Sequence, residues 1–317
     1  MKAFFSILIL GTGTVLAVDA PADSVSAAIE KAIPYLEKEG AWWIEKKECV
    51  SCHHTSFLVW AGDLALDAGF AVNATVLDQQ REWMRNSFLE KIKPNPKTPE
   101  VLPKPGEVKG DRNVEGVCQF LISPSAKKAP QPVLETLREI VHRNQSEDGN
   151  WKPGGQLPRQ DRPELETQWA SNQWAELALK TSGRKPRLPT ETWKAGVPAE
   201  TSEWHMLNLM LRPENPHALK NLLEKQNDDG GWSWISGESS DPSGTGQALI
   251  ALGRSGKAAA HPEAIRKARD FLVKTQSDEG HWETRGTKDR DETTRVSNFW
   301  GTAWAVIGLL ESRSEGE

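Results

Sequence analysis

The 317-residue chain reads as all-α, a single domain of six helical hairpins closed into a ring. Three observations carry that expectation. First, one pattern recurs as Gln145-Ser146-Glu147-Asp148-Gly149-Asn150-Trp151, Gln226-Asn227-Asp228-Asp229-Gly230-Gly231-Trp232 and Gln276-Ser277-Asp278-Glu279-Gly280-His281-Trp282, with Gly four and Trp six positions after each Gln. Second, an amphipathic segment precedes each copy and an apolar segment of low charge follows it. Third, indole is used out of proportion: 14 Trp stand against one Tyr and 8 Phe.

Residues 1–20 read as a signal peptide, with Lys2 as the charged start, an apolar run from Phe4 to Leu16, and Ala17 or Ala20 as the small residue for cleavage. The expectation is an exported protein, periplasmic or extracellular, whose domain spans 21–317. No later segment is apolar over a membrane-spanning length, so the mature chain is expected to have no such span. A net charge of -5 argues against a dedicated nucleic-acid partner.

The elements follow in order. Ser24 to Glu39 pairs with His54 to Ala68, and Gly40 and Trp42 are expected to form a degenerate turn with Leu36 in place of Gln. Thr75 to Glu90 pairs with Asn113 to Ile122 across a Pro- and Lys-rich loop, Lys93 to Lys109. Val133 to Arg143 pairs with Thr167 to Leu179, and a short Thr190 to Lys194 with Ser202 to Leu211. Pro216 to Lys225 pairs with Gly244 to Leu252, and Pro262 to Lys274 with Ser297 to Leu310, each outer segment opening on Pro. The second helix of each pair carries little charge and belongs inside. In the turns, Gln is read as closing a helix, Gly as making the turn, and the indole as folding back over the helix end.

These Gln-to-Trp turns resemble the repeat of the squalene–hopene cyclase and protein prenyltransferase superfamily, as does the last apolar helix, Asn298-Phe299-Trp300-Gly301-Thr302-Ala303-Trp304 onward. The resemblance covers most of residues 24–313 and implies a double ring of helices, the α/α toroid. Its activity does not transfer. A triterpene cyclase starts its reaction with an Asp-x-Asp-Asp motif, and the nearest match, Asp289-Arg290-Asp291-Glu292, ends in Glu and reads as a solvated loop. The resemblance also implies two domains where this chain has one.

Trp60, Trp169, Trp174, Trp204, Trp300 and Trp304 fall on inner segments outside the repeat turns and are candidates for a cavity lining. Indole faces there suit a carbocation, a polyisoprenoid or a sugar ring, and core packing is the plainer alternative. Polysaccharide-active toroid enzymes are a second family to weigh. Asp63, Asp67, Glu164, Glu166 and Glu203 are the carboxylates available to such a reading, and none forms a recognisable pair.

Cys49-Val50-Ser51-Cys52-His53 matches the attachment motif of c-type haem, in which two thiols bond the porphyrin and the adjacent His ligates iron. Export agrees with it. Met84, Met206, Met210, His142 and His205 are the candidate opposite ligands. The alternatives are zinc held by Cys49, Cys52, His53 and either Cys118 or His205, a Cys49–Cys52 disulfide, or no ligand at all. Cys118 reads as a buried cysteine of an inner helix. The leading expectation is thus an exported toroid with haem c, acting in redox or ligand binding with a redox partner. Beside it stand a toroid enzyme acting on an isoprenoid or glycan, and a scaffold without catalysis.

Overall fold

A computed structural model describes residues 24–50, 54–94, 103–155, 157–194 and 197–313. Residues 1–20, Cys52 and His53 therefore lie outside the described residues, and with them the signal-peptide reading and most of the haem motif. The described chain is built on helices α1 (Ser24–Lys47), α2 (Thr55–Asp67), α3 (Ala74–Leu89), α4 (Val114–Ile122), α5 (Gln131–Arg143), α6 (Glu164–Thr181), α7 (Ser202–Leu211), α8 (Pro216–Leu223), α9 (Pro242–Arg254), α10 (Pro262–Thr275) and α11 (Arg295–Glu311). Four short 3-10 turns and isolated β-bridges accompany them among the described residues.

Helices α2, α4, α6, α7, α9 and α11 each pack on the next in that order, and α11 packs back on α2, which closes the inner ring. These are the apolar helices; in α11 every residue from Phe299 to Leu310 is buried. Helices α1, α3, α5, α8 and α10 stand outside, one face apolar and the other charged. The chain is an α/α toroid. No described helix is long and apolar enough to cross a membrane.

The repeat turns carry out a different task from the one expected of their Gln. Each Gln side chain donates both to the carbonyl of its own turn Gly and to the next outer element: Gln226 to Gly230 and Ala264, Gln276 to Gly280 and Ala28, Gln145 to Gly149 and Leu188. The Trp closes the turn from inside. Its Nε1 donates to the carbonyl ten residues back, Val141, Leu222 or Leu272, and its backbone amide to Asn172, Thr245 or Thr302 on the following inner helix. One motif thus ties three elements together. Gly149, Gly230 and Gly280 have φ of 85, 91 and 87°, the left-handed region that favours glycine.

Two expectations about the outer ring are corrected. Gly40 and Trp42 make no turn: α1 runs through them to Lys47, and Gly40 instead lets Leu58 of α2 lie against the backbone. The short outer helix Thr190 to Lys194 does not form. Pro186, Pro189 and Pro198 bracket a segment too short to nucleate, so the chain runs extended there, pinned by Arg187 and Leu188 backbone amides donating to Gln145 Oε1. Five outer helices therefore surround six inner ones among the described residues.

Candidate functional site

In a ring of this connectivity every inner helix starts at the same end, so the first turns of α2, α4, α7 and α11 converge. A cavity of about 400 Å³ opens between them. Its walls include Phe57 from α2, Glu115 and Gln119 from α4, Glu203 from α7, and Trp300 and Trp304 from α11. Leu157 and Gln160 on one loop and Gly286 to Asp289 with Glu292 on another line its mouth, joined where the Asp161 amide donates to the Thr287 carbonyl at 2.6 Å.

Glu115 is buried in the first turn of α4. Its Oε1 accepts from the Gly154 amide at 3.0 Å and from the Ser171 hydroxyl, while Oε2 has no hydrogen-bond partner. Burial pushes its carboxyl above the usual carboxylate range, and the nearby charge of Glu203 adds to that; the bonds from Ser171 and Gly154 oppose the rise without cancelling it. Glu203 has the opposite surroundings: Arg162 Nη1 at 2.6 Å and Trp174 Nε1 at 2.8 Å both donate to it. Two buried carboxyl groups thus share one cavity, Glu115 with a raised pKa and a free oxygen, and Glu203 held in an ion pair. Gln119 Oε1, Gln160 Oε1 and Trp304 Nε1 are also buried without partners.

The six candidate indoles do not line one cavity. Trp300 and Trp304 line the central one. Trp174 supports it from behind through Glu203, its ring 6.4 Å from that of Trp304. Trp60 sits toward the other end of the ring, beneath the Arg254 guanidinium at 4.6 Å and bonded to Glu311. Trp169 and Trp204 belong to a separate apolar cluster with Ala199 and line an outer groove beside the extended segment.

Of the candidate carboxylates, only Glu203 reaches the central cavity. Asp63 is buried and held by Arg81 at 2.7 Å, Lys128 at 2.7 Å and Ser125, a clamp between α2 and its neighbours. Asp67 shares Lys128, and Glu166 accepts from the Glu200 and Thr201 amides. Asp289, Asp291 and Glu292 are exposed, with Asp289 and Glu292 at the cavity mouth. Arg290 is tucked over Trp234 instead. Glu115, Gln119, Gln160 and Arg162 escaped the sequence reading. The available signal was Glu115 as the lone charge in the helix Val114–Ile122.

Cys49 is exposed, and its carbonyl accepts from Trp43 Nε1 at 2.8 Å; Trp43 lines the central cavity. His54 is buried between Trp43 and Phe299, with ring centroids 3.9 and 4.2 Å away. Cys118 is buried in α4, and burial raises its thiol well above the ordinary range. Among the described residues no group of three His, Cys, Asp or Glu is arranged to hold a metal. His205 lies in the outer groove, and Met84 and Met206 are in the core.

No protein-family model matches the chain. Over 68 residues, 22% of the chain, it is 43% identical to a drimenyl diphosphate synthase of Streptantibioticus cattleyicolor; the match spans 12% of that protein. Among solved structures it is similar to a possible member of the GH105 family from Salmonella enterica, at TM-score 0.48 and 12% identity over 90% of this chain and 93% of that one. A polysaccharide lyase aligns at TM-score 0.45 and 12% identity, covering 90% of this chain and 96% of that one.

Proposed function

We propose that the central cavity carries general acid chemistry on a neutral carbohydrate. The observation that supports this is Glu115: a buried carboxyl of raised pKa, its Oε2 unpartnered, on the wall of a cavity whose other buried carboxyl, Glu203, is ion-paired. In its protonated form Glu115 donates Oε2–H to the bridging oxygen of a glycosidic bond as the carbon–oxygen bond breaks. Glu203, ion-paired with Arg162, faces the positive charge that develops on the sugar. Trp300 and Trp304 supply faces for the apolar side of a sugar ring.

The isoprenoid alternative is disfavoured by Gln119 and Gln160, whose buried acceptors a hydrocarbon leaves unsatisfied at a cost of about 1–3 kcal/mol each. The test compares wild type, Glu115→Gln and Glu203→Gln on aryl glycosides and neutral oligosaccharides. Glu115→Gln is expected to lose roughly 10²–10⁴ in kcat, least for substrates with good leaving groups. Equal turnover in all three proteins rules the proposal out.

A second reading keeps covalent haem on Cys49 and Cys52 with His53 as axial ligand, and export through residues 1–20 with it. One observation favours it: Cys49 is exposed, its carbonyl bonded to Trp43. Such a group supplies electron transfer when bound; Trp43 and Asn113, which bonds the Val50 carbonyl at 3.1 Å, hold the attachment segment against the ring. Secretion from a host able to attach haem, followed by an absorption spectrum of the denatured protein, tests it. A colourless product excludes haem, and stoichiometric zinc in that product selects the zinc alternative.

A further inference from the structure

We infer that the groove left by the missing fourth outer helix is a second binding site, for a neutral glycan chain, separate from the central cavity. It holds about 1460 Å³ between the extended segment and α7 and α8. A void of that size suits several sugar units rather than one. Leu165 and Trp193 on its wall, and Leu188 beside it, are the exposed large hydrophobic residues of the described chain.

The sharpest feature is His205. The ring is only 3% exposed, and its Nε2 stands 3.1 Å from the Ala199 carbonyl. A carbonyl only accepts, so Nε2 carries the hydrogen and Nδ1 is left as an acceptor. Nδ1 is buried without a partner on the groove wall. Burial and the Lys225 charge hold the imidazole neutral, with its pKa lowered to about 3, so Nδ1 awaits a hydroxyl or amide donor rather than an anion.

Around it the wall is amphipathic in a way that fits sugars. Trp204 meets the His205 ring edge-on at 5.0 Å, and Trp193, 51% exposed, offers an indole to solvent. Asn208 and Arg212 bond each other at 3.0 Å along one side, and Asn221 faces them from α8. Acidic Asp148, Glu191 and Glu224 outnumber basic Arg212 and Lys225 by one, which disfavours a polyanionic chain and gives a cationic one little to hold. Indole faces, amides and a hydroxyl acceptor together select an uncharged polyol with apolar faces.

The test titrates the full chain with cellohexaose, xylohexaose and β-mannohexaose, following Trp fluorescence and the ¹⁵N shift of His205 Nδ1. Binding of at least one is expected, with the Nδ1 signal moving as it accepts a hydroxyl. Trp193→Ala should weaken that binding roughly five- to tenfold, while Glu115→Gln leaves it unchanged. Absence of binding by all three at millimolar concentration overturns the inference. So does binding that Glu115→Gln abolishes and Trp193→Ala spares, since the sugar then occupies the central cavity. If an apolar peptide moves the Nδ1 signal and no sugar does, the groove is a peptide site.

Discussion

Glu115 stands where two forces oppose. The first turn of a helix favours an anion, and burial in the ring disfavours it. Burial wins, so the folded protein binds the proton more tightly than the unfolded chain does. Stability therefore falls as pH rises from about the ordinary value of 4.5 through the raised folded value. Glu115→Gln is expected to unfold at a higher temperature than wild type at pH 7 and to lose that advantage near pH 4; calorimetry across pH checks it. Asp63 shows the contrasting case. It is buried and paired with Arg81 and Lys128, and Asp63→Ala should cost about 3 kcal/mol by urea unfolding because it removes the buried partner of Arg81, which is left with the exposed Asp78 while Lys128 keeps Asp67. His205 acts at acid pH: its folded pKa lies below the unfolded value, so stability is lost as pH falls from about 6.5 toward 3.

At the scale of the element, the repeat turn is a three-way fastener rather than a helix cap. Gly230 is the clearest example, since its φ is 91° and a Cβ there meets the Lys267 carbonyl oxygen of α10 at 2.6 Å. Gly230→Ala should destabilise by about 1–3 kcal/mol, measured by denaturant midpoint. The segment between α6 and α7 departs from the expected outer helix for a traceable reason. Its sequence position in the repeat matched an outer helix, but its prolines removed the donors and angles a helix needs. Gln145 keeps its repeat function there by binding Leu188 where its counterparts bind Ala264 and Ala28. In the first hairpin the opposite occurred: Gly40 and Trp42 mimicked a turn in sequence, yet the helical path through them buries Trp43 against His54.

The whole molecule depends on closing the ring, and the tightest seam lies between α9 and α11. Gly246 sits against the Trp304 and Ala305 backbone, and Gly308 against Gly246. Gly246→Ala is expected to separate the helices and cost about 1–3 kcal/mol, with the central aromatic cluster around Trp304 loosened; unfolding free energy and near-ultraviolet circular dichroism read the two effects. The helix pairs and their order were legible because period, charge and the Gln-to-Trp turn agree locally. The site was only partly legible. Glu203, Trp300 and Trp304 were visible as candidates, whereas Glu115 was marked only as the lone charge of an inner helix and Gln160 lies in a loop without a pattern of its own.

The sequence by itself determined the six inner helices and five outer ones, since hydrophobic periodicity and a repeated turn are local properties of the chain. Only the tertiary structure decided which indoles share a wall, that Glu115 and Glu203 face one cavity, and that a groove replaces the fourth outer helix. The physical reason is that ring closure brings together first turns far apart in sequence. Their pKa values and unpaired atoms arise from burial that no single segment encodes.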